Sequence, residues 1–228
     1  MQRPCAHELR YLHVALIALT AATGVVDAVS YLGLGRVFTA NMTGNVVLLG
    51  FGLGGSDVAW VAGSLTSLAA FIGGAVIGGR VTKLGGDGRH QRLMRGLAVE
   101  SALIVSATII SLPARGDAGR LILIGLLAAA MGVRNATVRR LAEPDLTTTV
   151  LTLTLTGLVA DSRLAGGSGG HALLRGGAVI AMLVGAVIGA LLVREDRTLA
   201  LAAVSFAVMC TTIAFGAALR IDRGAPTG

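Results

Sequence analysis

Residues 37–50, VFTANMTGNVVLLG, decide how the rest of this sequence is read. Thr39, Asn41, Thr43 and Asn45 fall at every second position, and an apolar run follows. Alternation at period two fits extended backbone better than a helix. Extended main chain at membrane depth is tolerated only where protein buries it or it lines a water-filled cavity. The stretch therefore predicts a non-helical, cavity-lining segment. The plainer alternative is a set of helical Thr and Asn side chains that bond their own backbone or a neighbouring helix.

Membrane depth is the right frame because of what surrounds the stretch. Of the 228 residues, 54% are hydrophobic and only 14% charged, against roughly 25% charged in soluble domains. Strong apolar spans run over 11–34, 58–79, 96–112, 119–138, 173–193 and 198–219. Each is close to the roughly 20 residues that cross a hydrocarbon layer of about 30 Å. The expected fold is an all-α integral membrane protein, with 1–228 forming a single transmembrane domain. The first span follows a basic start like that of a signal peptide, but its apolar run continues to Leu34 and is too long for one.

Two weaker segments, 37–54 and 146–160, are apolar yet rich in Thr, Asn and Gly. Basic residues test whether they cross, since Lys and Arg collect on the cytoplasmic side. With eight crossings the charges outside the spans divide eight to ten. With six, one side gathers thirteen: Arg3, Arg10, the five from Arg80 to Arg95, Arg139, Arg140, Arg163, Arg175, Arg220 and Arg223. The other side keeps five, Arg36, Arg115, Arg120, Arg194 and Arg197. The sequence thus favours six transmembrane helices plus two re-entrant or broken polar segments, with both termini cytoplasmic in a bacterial inner membrane. The loop over 80–95 reads as a lipid-anchoring face, and the tail after Arg220 as disordered.

An internal repeat is visible. GVVDAVSYL at 24–32 resembles GVRNATVRRL at 132–141, and TANMTGN at 39–45 resembles TLTLTGL at 152–158. Each half, about 11–112 and 119–219, reads as helix, weak polar segment, helix, helix. Three crossings per half make the two halves inverted repeats, a recurrent transporter plan.

Asp27 lies deep in the first span, and Arg134 lies at the corresponding depth of the fourth, next to Asn135. Charges there face the bundle interior and need a partner. Inverted halves would bring Asp27 and Arg134 together, as a solute-facing pair or as a salt bridge pinning the halves. Asn41, Thr43, Asn45, Asn135, Thr152, Thr154 and Thr156 would then supply neutral hydrogen bonds. The polar segments would each run into a short helix whose N-terminus points at the centre. Glu100 reads as an acid complementing the N-terminal turns of its helix.

Other chemistry finds no support. Cys5 and Cys210 form no spaced motif, and the four histidines lack zinc-ligand spacing. Nucleophile elbows, phosphate-binding loops and paired carboxylates are missing, so no enzyme and no cofactor is expected. The net charge of +7 comes without interleaved aromatics, so no nucleic-acid partner is expected either.

With these residues in view, GVVDAVSYLGLGRVFTANMTGNVVLLG (24–50) and MGVRNATVRRLAEPDLTTTVLTLTLTGL (131–158) resemble the YoaK-like family of uncharacterised bacterial multi-span membrane proteins. The resemblance implies a small inner-membrane protein of unassigned substrate. Many members carry Gln before the Asn-Ala pair, where this chain has Arg134, a departure that favours an Asp27–Arg134 pair here. The function expected is a transporter or permease of a small polar or anionic solute. The alternative is a non-transporting membrane assembly or sensory protein. Membrane lipids and a small solute are the expected partners, with a homo-oligomer as a further option.

Overall fold

The computed structural model describes residues 6–55, 58–83, 88–114, 116–141, 151–167, 170 and 172–224. Every regular element among them is helical: α1 (Ala6–Ala28), α2 (Met42–Leu53), α3 (Val58–Val81), α4 (Arg89–Ser111), α5 (Gly116–Leu141), α6 (Leu151–Ala160), α7 (Ala172–Glu195) and α8 (Arg197–Gly224). A π-helical turn, Val29–Gly33, extends α1. The chain then leaves the helix through Gly35 and Arg36, both at positive φ, a backbone region that glycine enters without the strain of a Cβ.

Six helices are long and apolar enough to cross a membrane. They follow the expected spans closely, and the exception is α4. Residues 89–95, expected within a loop, form its first turns, which places Glu100 mid-helix rather than near a helix start. Residues 221–224, in the tail expected to be disordered, continue α8.

The central expectation about the polar segments is corrected. Met42–Leu53 and Leu151–Ala160 are α-helices, and among the described residues the non-helical part is the linker before α2. Asn45, Thr152, Thr154 and Thr156 are therefore helical residues, while 146–150 lies outside the described residues. Alternating threonine survives in a helix because each hydroxyl can return to a carbonyl one turn back. Thr156 does so, donating to the Thr152 carbonyl at 2.8 Å. At about 1.5 Å per residue, neither short helix reaches across a hydrocarbon layer of about 30 Å.

Small residues set the helix pairing. Gly24 of α1 lies against Met182 and Ala186 of α7, and Gly33 lies near Val193, so these helices run the same way. Gly74 and Gly78 of α3 meet Ala129 and Val133 of α5, also in the same direction. A Cβ on Gly74, Gly132 or Gly185 would overlap backbone atoms of the neighbouring helix. Glycine is what permits this approach in lipid, where packing drives association. The helices α4 and α8 run oppositely, joined by Ser101 Oγ–Thr212 Oγ1 at 3.4 Å and Thr108 Oγ1–Ser205 Oγ at 2.7 Å.

These directions also bear on the crossing count. Glu100 meets Arg134 and Gly96 meets Thr137, so α4 opposes α5. Gly33 lies near Arg197 at the start of α8, while Tyr11 shares a groove with Phe215 near its end, so α8 opposes α1. The long helices α1, α3, α4, α5, α7 and α8 therefore alternate strictly in direction. If α2 and α6 also crossed, α1 and α3 would have to run the same way.

Candidate functional site

The linker ahead of α2 is fixed from both sides. From α1, the buried Asp27 carboxylate accepts backbone N–H groups of Thr39 (3.2 Å) and Ala40 (2.9 Å). From α2, the Asn45 side chain accepts the Phe38 N–H at 3.0 Å and donates to the Phe38 carbonyl at 2.6 Å. Ser67 of α3 completes the set: its hydroxyl accepts from Asn45 at 2.9 Å and donates to the same carbonyl at 2.7 Å. Buried main chain without a ladder needs such side-chain partners. Asn41 then caps α2, accepting the Gly44 N–H at 3.3 Å.

Between this linker and the second half of the chain lies a cavity of about 460 Å³. It is lined by Thr23, Gly24, Asp27 and Ala28 of α1 and by Met182, Ala186 and Ala190 of α7, the helix packed against it. The first residues of α6, Leu151 and Thr152, contribute as well. A second hollow of about 450 Å³ adjoins it and reaches Thr43 and Gly44 at the start of α2. The two share Tyr31, Phe38, Asn41 and Thr152. Tyr31 and Phe38 stack there with ring centroids 4.9 Å apart. Such volumes fall within the range of roughly 300–1,000 Å³ typical of small-molecule sites.

The expected Asp27–Arg134 pair is not formed. Arg134, buried on α5, bonds through Nη2 to Glu100 on α4, and through Nη1 to the Leu19 carbonyl (2.7 Å) and Thr23 Oγ1 (2.6 Å) on α1. A buried charge needs a partner of opposite sign, and Glu100 is the acid that α4 brings within reach. Glu100 is thus an ion-pair partner rather than a complement to a helix end. Glu100 Oε2 and Arg134 Nε are buried with no bonding partner among the described residues.

Of the candidate residues, Asp27, Asn41, Thr43 and Thr152 come together around the paired hollows. Asn45 stands behind them as a support. Arg134 and Asn135 are elsewhere, the latter donating to the Met131 carbonyl at 2.8 Å. Neither hollow includes Thr154, which is buried, or Thr156, which is exposed. Sequence reasoning missed Thr23, Tyr31, Phe38, Ser67 and the role of Glu100. Glu100 left a signal: like Asp27 and Arg134, it is a charge placed well inside an apolar span.

No solved structure matches the chain. A curated transmembrane protein of Bacillus subtilis (strain 168), "UPF0700 transmembrane protein YoaK", is 39% identical over 153 residues, covering 65% of each chain. A family model described as "Protein of unknown function (DUF1275)" matches residues 15–215. Matched over most of its length, and folded into six helices able to span a bilayer, the chain is a multi-pass membrane protein belonging to the DUF1275 family.

Proposed function

We propose that this protein is a transporter of a small polar solute, built from two inverted halves and working by alternating access around the cavity beside Asp27. The observation carrying this reading is that both halves contribute to one cavity: α1 and the linker from the first, α6 and α7 from the second. Matching contacts support the inverted arrangement. Gly24 and Gly185 bring α1 and α7 together, Gly132 and Gly74 do the same for α5 and α3, and corresponding helices run in opposite directions. Interrupted helices at a repeat interface are where such carriers bind their solutes. The basic-residue bias supports cytoplasmic termini in a bacterial inner membrane. An anionic solute loses its main support, because the guanidinium that would have received it is occupied by Glu100. No catalytic constellation is proposed.

Two-sided labelling tests this reading. In a chain with Cys5 and Cys210 replaced by Ser, Asn41→Cys and Thr152→Cys are exposed to a membrane-impermeant thiol reagent in right-side-out and then inside-out vesicles. A carrier gives labelling from both sides, and occupancy by its solute shifts the ratio. Labelling from one side only, or from neither, identifies a non-transporting membrane component.

A further inference from the structure

We propose that the cavity beside Asp27 binds solutes through an ammonium group, so that the solute is a small organic cation whose nitrogen is protonated or quaternary. The inference rests on the cavity being a solute site and adds its chemical selectivity.

Charge comes first. Among the described residues lining either hollow, Asp27 is the single charged side chain. Arg134 is kept from the cavity by its bonds to Glu100, Leu19 and Thr23. The Thr39 and Ala40 N–H groups reach one of its oxygens, Oδ1, and the Asn41 N–H is a third donor to the carboxylate. A carboxylate accepts at about four lone-pair sites, so acceptor capacity remains for a ligand. The α2 and α6 N-termini add partial positive charge, but that effect fades within a turn, and Asn41 already caps the α2 end. They do not offset a full carboxylate charge, although they leave room for a carboxylate on the same solute.

Shape and surface narrow the class. The Tyr31–Phe38 stack borders both hollows, and aromatic faces attract alkylammonium ions. The remaining walls beside Asp27 are largely apolar: Gly24, Ala28, Met182 and Ala186. A bare divalent metal would need several more oxygen ligands, and no group of three His, Cys, Asp or Glu converges among the described residues. A carboxylate, an aromatic pair and apolar walls in about 460 Å³ suit an organic cation with a small carbon skeleton.

Binding to the purified full-length protein is measured by calorimetry with four probes: tetramethylammonium, glycine betaine, acetate and glycerol. Saturable binding of tetramethylammonium is expected, weakened at least tenfold by Asp27→Asn, which retains an oxygen for the Thr39 and Ala40 N–H groups. Ala190→Leu adds bulk to the α7 lining of the cavity and has no part in the bonds that hold Asp27, so it is expected to abolish binding even if Asp27→Asn does not fold. Betaine binding more tightly than tetramethylammonium assigns a carboxylate to the solute beside its ammonium. Binding of acetate or glycerol alone overturns the inference, as does tetramethylammonium binding that both variants leave unchanged. Flux of the same probes into proteoliposomes separates the two claims. Probes that bind without crossing refute transport and leave ammonium selectivity standing, whereas glycerol or acetate flux that tetramethylammonium does not inhibit does the reverse. If no probe binds, ammonium recognition is refuted.

Discussion

Arg134 and Glu100 form a buried ion pair between α5 and α4. In the proposed inverted repeat, Gly24 matches Gly132 and the Ser101–Thr212 contact matches Thr108–Ser205, so the counterparts of the pair are Val26 on α1 and Val204 on α8, both sealed in the apolar core. On that reading the pair is an addition to one half rather than a requirement of the fold.

That asymmetry gives a direct expectation. Arg134→Val alone strands the Glu100 carboxylate and should destabilise the protein by about 3–5 kcal/mol. Adding Glu100→Val copies the arrangement of the other half and should recover most of the loss. Thermal and denaturant melts of the three forms in detergent check this. A double variant as unstable as the single one would show that the charges are needed where they are.

Glycine contacts predict a sharp contrast within one helix. A Cβ at Gly74 would overlap the Ala129 backbone, whereas a Cβ at neighbouring Gly73 meets nothing within 4 Å. Overpacking of a tight contact costs about 1–3 kcal/mol or more. Gly74→Ala should lower the melting temperature, and Gly73→Ala should leave it unchanged or raise it.

Asn45 should behave as a support for the linker. Its loss leaves the Phe38 N–H without its acceptor and removes one of the carbonyl's two donors, and stranding a buried polar group costs about 1–3 kcal/mol. Asn45→Ala is expected to destabilise the fold by that amount and to increase amide hydrogen exchange at Phe38. Thr43→Ala, at an exposed position on the same helix, should not.

Acid should weaken the start of α8. Asp196 accepts the N–H groups of Thr198 (2.5 Å) and Leu199 (3.1 Å). The Leu199 bond first, and the Thr198 bond with it, hold its carboxyl below the usual carboxylate range. A lowered folded-state pKa means the stabilisation is complete above the unfolded value and fades as pH falls through the folded one. The stability gap between the wild type and Asp196→Ala should accordingly be constant at neutral pH and close in acid. A gap independent of pH would show that the charge of the cap contributes nothing.

The six long helices were legible because span length is a local property of the sequence. The short helices were misread for an equally local reason. Thr39, Asn41, Thr43 and Asn45 keep a strict alternation, yet they occupy a linker, a cap, the first turn of a helix and a helix interior. One period thus ran across a structural boundary. Asp27 was rightly placed inside the bundle, but its N–H partners lie beyond the turn at Gly35 and Arg36, whose geometry the letters do not give. Arg134 found Glu100 because of the register between α4 and α5. Register is set by packing over the whole helix, and short-range pattern does not report it.

Because α1 lies along α7 while α3 lies along α5, the halves are interleaved like clasped fingers. The opening helix must wait in the bilayer until nearly the entire polypeptide has left the ribosome before its main contact surface exists. That contact is completed only by the last third of the chain, which carries α7.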